Sequence, residues 1–329
     1  MSFTYQVSII VPVYNVEKYI EKCVQSLLKQ DFEGNIEYIF VDDKSPDKSI
    51  EILEKIIKKY PKKEGCIHII RHTKNKGLSA ARKTGLKKSH GEYIIHIDSD
   101  DWCDLNMISE MYKKAKETNA SIVCCDYFEN YQKEEIYKKQ NYSSSSYENQ
   151  ILLLHGAVSP STCDKLVKRE LYFKHNIFPL AGMHIAEDRL LMIQLFLVAK
   201  NIVYLPKAFF HYRKNNPDSI MHNVNNKVWD DLKTYTLTIQ KFLDKKGLND
   251  KYKKHFLIGL LGLILGFAQG YKYKERVNDI CPEADKLKYL WKNSSKSLLA
   301  KIGFSFSMIY MGFMTKWLIQ FEGFLKGKK

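Results

Sequence analysis

The chain has 329 residues, of which 45% are hydrophobic and 27% are charged, and its formal net charge at pH 7 is +15. This size and composition are typical of a globular protein with a substantial core, and they exclude a disordered chain. The first residues lack the basic start and the long apolar stretch of a secretory signal peptide. The seven cysteines are odd in number and form no Cys-x-x-Cys pair, so we expect reduced thiols in a cytoplasmic protein.

The first 127 residues alternate between predicted strands and predicted helices. Continuous apolar runs predict strands that are buried on both faces, and apolar residues at helical spacing predict the helices between them. The strands are expected at 7–13, 36–41, 67–70, 93–97 and 121–127, and the helices at 17–30, 46–57, 78–89 and 105–118. This alternation predicts an α/β fold with a doubly wound, mostly parallel sheet. Ligands of such sheets bind beyond the carboxyl ends of the strands.

The remainder of the chain is less regular. Residues 129–150 are polar and show no periodicity, which predicts a loop or a linker. Further helices are expected at 150–155, 165–175 and 188–200, with a short pair of strands at 202–205 and 209–212. From residue 227 onward the pattern is helical. The apolar run 256–268 is too short for a bilayer span, which needs about 20 residues, so we expect a packed helix there.

Three aspartates follow directly on one of the predicted strands. Asp98, Asp100 and Asp101 repel one another, so their cluster is costly without a cation or a set of hydrogen bonds. Asp42 and Asp43 follow another predicted strand, so acids from two strands meet at one edge of the sheet. One interpretation is a site for a divalent metal ion. The other is a solvated loop in which an aspartate caps the next helix.

The common phosphate-binding and metal-hydrolase motifs do not occur in the sequence. No Gly-x-Gly-x-x-Gly follows the first strand, and neither a Gly-Lys-Ser/Thr loop nor a His-Glu-x-x-His segment is found. A nucleotide would therefore need other contacts. An acid at the end of the second strand can accept the N3–H of uracil, Tyr14 can pack on the base, and Arg82 can meet phosphate charge with a fork of donors.

Four segments at characteristic spacing make the chain resemble glycosyltransferase family 2, a large inverting family with the GT-A fold. They are VSIIVPVYNVEKYIEKCVQSLLKQ, YIFVDDKSPDKS, NKGLSAARKTGL and GEYIIHIDSDD, and the resemblance extends over about the first 220 residues. Two positions depart from the family pattern, since Lys44 stands where glycine is usual and Lys83 where asparagine is usual. The resemblance implies a Rossmann-like GT-A domain with a helical C-terminal extension, in an enzyme of the bacterial surface-polysaccharide type.

The resemblance also implies roles for individual residues. Asp98 and Asp100 look like the Asp-x-Asp element, with Asp100 as the direct ligand of Mg²⁺ or Mn²⁺, which offsets charge on the leaving UDP. The residues implied to bind the sugar nucleotide are Pro12, Tyr14, Asn15, Asp43, Arg82, Asp98, Ser99, Lys165 and Arg213. For Arg213, closure over the diphosphate and a plain surface position on a strand are both open.

The segment HIAEDRLLMIQLF contains Glu187 and Asp188, which look like the family's Glu-Asp motif. The resemblance implies that both are catalytic and that Asp188 deprotonates the acceptor hydroxyl. Inversion in one step needs a carboxylate within hydrogen-bond reach of that hydroxyl, on the face opposite the leaving group. The alternative is that Asp188 only interacts favourably with the dipole at the start of a helix.

These features divide the chain into three parts. Residues 1–127 are expected to form the nucleotide-sugar-binding half of a GT-A domain, 128–222 its acceptor half with the catalytic base, and 223–329 a basic helical region. Residues 226–329 hold 20 Lys/Arg against 9 Asp/Glu. An anionic membrane or a nucleic acid could bind such a charge. Because the basic excess lies outside the α/β part, we expect no nucleic-acid partner.

The end of the chain carries an apolar, mostly aromatic stripe flanked by lysines. At helical spacing it comprises Ile302, Phe306, Ile309, Phe313, Trp317, Phe321 and Phe324. Such a helix suits peripheral binding to the anionic inner face of the plasma membrane. A buried amphipathic helix and a contact between two copies in a homodimer are the alternatives.

The sequence therefore predicts a metal-dependent inverting glycosyltransferase. Its expected substrates are a UDP-sugar donor and a hydroxyl of a glycan or glycolipid acceptor linked to polyprenyl diphosphate. Transfer to polyprenyl phosphate is an alternative, but an ionised acceptor needs no base, so Glu187 and Asp188 argue against it. An alternative of another class is a basic nucleic-acid- or membrane-binding protein without enzymatic activity.

Overall fold

The computed structural model describes residues 4–216, 227–268 and 273–293, together with 296, 298, 300–302 and 305. These residues belong to two compact units. The first unit lies within Met1–Ser146 and Pro160–Asn223, and the second within Tyr147–Ser159 and Val224–Lys329. The stretch 147–159, which was expected in the acceptor half, therefore groups with the C-terminal helices.

One half of the sheet in the first unit is parallel throughout. Its strands are β1 (Val7–Val13), β2 (Ile36–Asp42), β3 (Ile67–Arg71) and β4 (Tyr93–His96), in the spatial order β3-β2-β1-β4. The helices between them are α1 (Ile20–Leu28), α2 (Ser49–Ile57) and α3 (Leu78–Lys88). Every residue of β1, β2 and β4 is buried, which explains why these strands are nearly continuous apolar runs in the sequence.

The other half of the sheet is mixed. Its strands are β5 (Trp102–Cys103), β6 (Ile122–Asn130), β7 (Glu135–Lys138), β8 (Lys165–Lys168) and β9 (Ile202–Arg213). The order continues from β4 through β8, β6 and β9 to β5, and only the pair β6 and β9 is parallel here. Strand β7 pairs with β6. The helices along this part of the chain are α4 (Met107–Thr118), α5 (Ser146–His155), α6 (Arg169–His175) and α7 (Glu187–Val198).

The predicted fold class is confirmed. The first unit is an α/β domain with a mixed, mostly parallel sheet and flanking helices, and a helical region follows it along the chain. Parallel neighbours bring the ends of β1, β2 and β4 to one edge of the sheet. Candidate site residues therefore lie together at these ends. Ligands of α/β sheets usually bind at this edge.

Three stretches of the chain differ most from the predicted elements. The helix expected at 165–175 begins only at Arg169, because the preceding four residues form β8, which pairs with β4 and β6. The loop expected at 129–150 contains β7 and the start of α5. The two strands expected at 202–212 are one strand, β9, whose register to β6 shifts beside Asp126. This irregularity accommodates Pro206, which cannot donate a ladder hydrogen bond.

The described part of the second unit is helical. It comprises α5 and four later helices, α8 (Lys227–Lys246), α9 (Asn249–Ala268), α10 (Tyr273–Ile280) and α11 (Leu287–Lys292). The apolar run of the sequence lies in α9, where most of its large side chains are buried, as expected for a packed helix. A Cβ atom on Gly259 would lie 1.9 Å from the carbonyl oxygen of Leu154. The missing side chain at this position therefore lets the end of α5 approach the backbone of α9.

Within the part of the chain that the structure describes, no helix has both the length and the apolar character that a membrane span requires. The aromatic stripe at the end of the chain lies outside the described residues, apart from Ile302 at its start.

Candidate active site

The loops that follow β1 and β2 are joined by hydrogen bonds. The backbone N–H of Asn15 donates to Ser45 Oγ over 2.9 Å, and that of Val16 donates to Ser49 Oγ over 3.0 Å. The predicted helix start at residue 46 is therefore too early, since α2 begins at Ser49 and both serines hold the neighbouring loop. Asn15 has a φ of +55°, a left-handed conformation that asparagine tolerates well. The arrangement leaves the Tyr14 side chain 46% exposed at the sheet edge.

Asp47 is the common acceptor of this pair of loops. Its carboxylate accepts the hydroxyls of Ser45 and Ser49, each over 2.6 Å, and the backbone N–H of Glu17 over 2.8 Å. Burial acts to raise the pKa of Asp47, but these hydrogen bonds outweigh it and lower the pKa below its usual value. The charged carboxylate of Asp47 thus helps to hold the loop that carries Tyr14.

Asp43 stabilises the loop that precedes α3. Its carboxylate accepts the backbone N–H groups of Lys76 and Gly77 over 2.9 and 2.7 Å, and His72 Nδ1 lies 2.6 Å from Oδ1. Gly77 has a φ of +87°, a conformation that favours glycine. Lys44, next along the chain, has a φ of +61°. The turn therefore keeps the left-handed geometry although lysine stands where the family usually has glycine.

Asp98, Asp100 and Asp101, called here the acid run, follow β4. Two of them bind the end of β9 and the segment after it. Asp101 Oδ1 accepts the backbone N–H of Arg213 over 2.7 Å, and the carbonyl oxygen of Asp100 accepts Arg213 Nε over 2.8 Å. Asp100 Oδ2 accepts Asn216 Nδ2 over 2.7 Å. The next helix begins at Met107 without a side-chain cap. The interpretation of the run as a helix cap is therefore wrong.

Negative charge in this run is poorly compensated. Burial raises the pKa of Asp100, and the neighbouring charge of Asp98 raises it further, while Asn216 and Arg213 act in the opposite direction. Burial also raises the pKa of Asp101 well above its usual value, and Asp100 and Asp98 add to the effect. A bound cation would stabilise the ionised form of these acids, because its charge opposes the effects of burial and of the neighbouring carboxylates.

Arg82 gathers acids from two distant parts of the chain. Its side chain, which α3 places in the interior, is 2% exposed. Nη2 donates to Asp98 Oδ1 over 2.6 Å, and Nη1 donates to Asp188 Oδ1 and, over 3.4 Å, to Glu187 Oε1. Burial opposes the charged guanidinium, but Asp188, Asp98 and Glu187 raise the pKa of Arg82 well above its usual value. The guanidinium of Arg82 thus contacts both the segment after β4 and the start of α7.

Both acids at the start of α7 are held in a partly buried position. Burial raises the pKa of Glu187 to about 8, with a further contribution from Asp188. Burial also raises the pKa of Asp188, while Arg82 acts to lower it. The side chain of Asp188 remains 23% exposed, so a ligand can reach it. Ala186, directly before α7, has a φ of +62°, which is strained for alanine.

The remaining predicted residues are less accessible. Pro12 is buried in β1, and Ser99 is buried directly after Asp98. Lys165 is 0% exposed, and its Nζ donates to Asp164 Oδ1 over 2.6 Å and to the carbonyl oxygen of Ser161 over 2.9 Å. The described geometry thus brings Asp98, Glu187 and Asp188 together, whereas Lys165 already has partners inside the protein.

Two residues of this site were not predicted from the sequence. His72 contacts Asp43, and Asn216 contacts Asp100. His72 directly follows β3, so the rule that strand ends carry site residues would have identified it if applied to that strand. Asn216 has no comparable signal, because its position in an irregular segment says nothing about its partner.

The family-model comparison decides the class of the protein. The model described as glycosyl transferase family 2 matches residues 8–174. The chain belongs to this family. It is therefore a glycosyltransferase, and the alternative of a binding protein without enzymatic activity is wrong.

Individual relatives of this glycosyltransferase agree with that result. The chain is 32% identical over 257 residues to the putative glycosyltransferase EpsH of Bacillus subtilis, a match that covers 75% of this chain and 72% of EpsH. It is 38% identical over 118 residues to a poly(ribitol-phosphate) beta-glucosyltransferase of Bacillus spizizenii, covering 36% of this chain and 18% of that protein.

The fold has a counterpart among solved structures. The structure of S. aureus TarS 1-349 in complex with UDP is similar to the glycosyltransferase described here, with a TM-score of 0.68 and 19% sequence identity. The similarity covers 98% of this chain and 92% of that one. It confirms the expected GT-A fold with its helical region.

Proposed function

We propose that this glycosyltransferase moves a sugar with inversion from a UDP-sugar to a hydroxyl of a glycan acceptor, in a reaction that depends on Mg²⁺ or Mn²⁺. The observation that carries this proposal is the contact of Arg82 with Asp98 on one side and with Glu187 and Asp188 on the other. Arg82 thus connects the acid run, which is proposed to bind the sugar nucleotide, with the partly exposed carboxylate of Asp188, which is proposed to bind the acceptor.

Asp98 and Asp100 fit a hard divalent cation. Carboxylate oxygens are its preferred ligands, and the raised pKa of Asp100 reflects burial and the charge of Asp98, both of which a cation would counteract. No group of three or more ligating side chains occurs among the described residues. Magnesium is usually held by one or two carboxylates together with substrate phosphates and water, so the proposed protein ligands are limited to Asp98 and Asp100. When bound, the ion supplies Lewis-acid stabilisation of the departing diphosphate.

Asp188 is the proposed general base. It accepts the proton of the acceptor hydroxyl, the hydroxyl oxygen forms the new bond to the anomeric carbon, and the bond from that carbon to UDP breaks. Burial makes Asp188 a stronger base than a solvated aspartate, and Arg82 keeps enough of it ionised to act. The bond to Arg82 also fixes the orientation of the carboxylate before the acceptor arrives.

The donor and acceptor classes are supported by the comparisons in different ways. TarS structures contain UDP or UDP-GlcNAc, which supports a UDP-sugar as the donor for this chain. A relative that glucosylates poly(ribitol-phosphate) supports a cell-surface polymer, or its lipid-linked precursor, as the acceptor class. A lipid-linked acceptor would locate the reaction at the cytoplasmic face of the plasma membrane. The exposed Tyr14 is the proposed stacking surface for the base of the nucleotide.

The role of Asp188 is tested with Asp188→Asn, which keeps the size of the side chain and one acceptor oxygen. We expect kcat to fall by about a hundredfold or more, because a general base contributes about 10²–10⁴. The affinity for UDP should stay nearly unchanged, since Asp188 faces the acceptor. UDP release from a panel of UDP-sugars and calorimetric UDP binding measure the two quantities. Asp31→Asn, at an exposed acid, is the control. Equal losses of rate and of UDP affinity would contradict the assignment.

The role of the acid run is tested with Asp100→Ala. We expect loss of sugar transfer and weaker UDP binding in the presence of Mg²⁺ or Mn²⁺, because the variant removes a proposed ligand of the ion. Without metal ions, in EDTA, the variant and the unaltered protein should bind UDP alike. Circular dichroism checks that the fold is intact. Full activity of the unaltered protein in EDTA would show that no metal ion is needed.

A further inference from the structure

Lys165 closes a short turn in the interior of the first unit. Its side chain is 0% exposed, and Nζ donates to the carbonyl oxygen of Ser161 over 2.9 Å and to Asp164 Oδ1 over 2.6 Å. Ser161 Oγ accepts the backbone N–H of Cys163 over 3.0 Å, which tightens the same turn. Residues 162–165 are all buried, so these hydrogen bonds form where the local dielectric constant is low.

One peptide group of this turn connects Lys165 with Asp188. It joins Ser161 to Thr162, and its carbonyl oxygen accepts the hydrogen bond from Lys165 Nζ. Its N–H, which belongs to Thr162, donates to the carboxylate of Asp188. The C=O and N–H of a trans peptide point in opposite directions, so the ammonium and the carboxylate lie at opposite ends of its dipole. A cation at the oxygen end polarises the peptide and strengthens the hydrogen bond that the N–H donates.

The sheet fixes the position of this turn. Lys165 is the first residue of β8 and pairs with Cys124 of β6. The carbonyl oxygen of Asp164 accepts the backbone N–H of Cys125 over 3.0 Å. The ammonium of Lys165 cannot move toward a ligand without leaving Asp164 unpaired in the interior, which is costly. This favours an indirect role for Lys165 over the expected contact with the sugar nucleotide.

Asp188 is surrounded by several charged or titratable groups. They are Arg82 on α3, Asp98 after β4, Glu187 on α7, Cys163 and Lys165 at the turn, and Tyr172 on α6. Burial raises the pKa of Asp188, and Arg82 acts to lower it. The N–H of Thr162 and the charge of Lys165 act in the same direction as Arg82. Arg82 contacts the carboxylate directly, whereas Lys165 acts on it through the peptide group.

We propose that Lys165 is a positioning residue for the general base, which it orients through the peptide group between Ser161 and Thr162. The N–H of Thr162 holds the carboxylate of Asp188, and Lys165 keeps that N–H directed at it. Together with the direct contact of Arg82, this arrangement prepares the ionised carboxylate for the acceptor hydroxyl. The catalytic consequence rests on the proposed function, whereas the link from Lys165 to Asp188 does not.

The link is tested by NMR spectroscopy of the full-length protein, isotope-labelled at the threonine nitrogens only. The amide signal of Thr162, identified by its loss in Thr162→Ser, should follow the ionisation of Asp188 and lose that step in Asp188→Asn. In Lys165→Met the midpoint should move to higher pH by about one unit, because the variant removes a charge that favours ionised Asp188. Lys174→Met, at an exposed lysine of α6, makes the same charge change and should leave the midpoint unchanged.

A second variant covers the case in which Lys165→Met does not fold. Asp164→Asn combined with Lys165→Met removes both charges of the buried pair, so no unpaired charge is left in the interior. The midpoint should again move to higher pH. The proposal is overturned if the folded variants keep the midpoint of Lys174→Met, since a lysine with a purely structural role would change only the melting temperature.

Sugar transfer gives the readout that depends on the proposed function. In Lys165→Met, the rise of kcat with pH should move to higher pH by the same amount as the NMR midpoint, while KM for the UDP-sugar stays unchanged. A large increase in KM without a shift in pH dependence would make Lys165 a contact of the sugar nucleotide and overturn the proposal. A shift of the NMR midpoint alone would count against Asp188 as the base and leave the link from Lys165 intact.

Discussion

The guanidinium of Arg82 carries one positive charge and contacts three carboxylates. It cannot neutralise all of them, so at least one acid must be protonated or leave a net negative charge in a largely buried place. Glu187 is the acid that is protonated, since burial and the neighbouring Asp188 raise its pKa to about 8. Near neutral pH Glu187 therefore holds a proton, which removes one negative charge from the group of acids around Arg82.

The proton on Glu187 makes stability depend on pH in a defined direction. The folded pKa is raised above its usual value of 4.5, so between about pH 4.5 and 8 the folded protein binds a proton that the unfolded chain releases. This contribution to the free energy of unfolding is largest at low pH and is lost as the pH rises through 8. Glutamine does not titrate, so the free energy of unfolding of Glu187→Gln should lack this decrease with pH.

The measurement is the melting temperature of Glu187→Gln and of the unaltered protein at pH 5, 7 and 9. We expect the difference, variant minus unaltered protein, to rise by a few degrees from pH 5 to pH 9, since about 1 kcal/mol shifts the melting temperature of a large domain by about 2–4 °C. Glu51→Gln, at an exposed acid of α2, should show no such trend. A pH-independent difference for Glu187→Gln would mean that Glu187 is ionised throughout.

The position of Asp98 after a predicted strand and the resemblance of Glu187 and Asp188 to a family motif identified the acids of this cluster, but not its geometry. Asp98, Glu187 and Asp188 were all candidate site residues, and Arg82 was expected to meet phosphate. In the structure Arg82 meets carboxylates, one of which is 106 positions away along the chain. A sequence pattern shows which residues follow a strand or begin a helix. It cannot show which distant carboxylate a buried guanidinium contacts, because the packing of α3 against the rest of the domain decides that.

The same distinction applies to the helices and strands. The parallel strands β1, β2 and β4 were predicted well, because strands buried on both faces have continuous apolar sequences. Strands β7 and β8 were missed, since each has four residues and depends on its neighbours more than on its own sequence. The parallel half of a sheet is thus easier to predict than its short antiparallel additions.

The glycines of α9 differ in what surrounds them, which gives a matched pair of substitutions. Gly259→Ala would place a Cβ atom against the backbone of Leu154, and backbone cannot move aside cheaply. We expect it to lower the free energy of unfolding by about 1–3 kcal/mol, the usual cost of overpacking. Among the described residues, the Cβ atom of Gly266→Ala would meet only the end of the Lys296 side chain, at 3.8 Å. It should be neutral or stabilise by up to about 1 kcal/mol, because alanine favours helix.

Hydrogen–deuterium exchange distinguishes these two variants by region. For Gly259→Ala, exchange should increase in α5 and α9, while the strands β1 to β4 of the first unit should keep their protection. Urea unfolding followed by circular dichroism gives the free energies. If Gly259→Ala were as stable as Gly266→Ala, the close approach of α5 to α9 would be incorrect.

The charge of the whole molecule is distributed unevenly along the chain. Residues 226–329 carry 20 Lys/Arg against 9 Asp/Glu, and the predicted aromatic stripe follows within the same region. Truncation after Ala300 removes the stripe and the lysines at its flanks. We expect the full-length protein to sediment with vesicles that contain an anionic phospholipid, and the truncated protein to remain in solution.

Salt separates the two contributions to that binding. Added salt should weaken the sedimentation only in part, because it screens the lysines but not the apolar contacts. Vesicles of phosphatidylcholine alone are the control and should bind less. If the truncated protein instead loses its cooperative melting transition, the stripe is part of a core, and the expectation of a membrane helix is wrong.

The long separation between Arg82 and its partners in α7 also affects how the protein is made. A ribosome adds about 5–20 residues per second, so Arg82 is synthesised roughly 5–20 s before Asp188, which follows 106 positions later. During that interval only Asp98 can accompany the guanidinium, and the side chain cannot take its final buried place with all its partners. We therefore expect the ion pairs of Arg82 to be completed only after the segment that carries Glu187 and Asp188 has been synthesised.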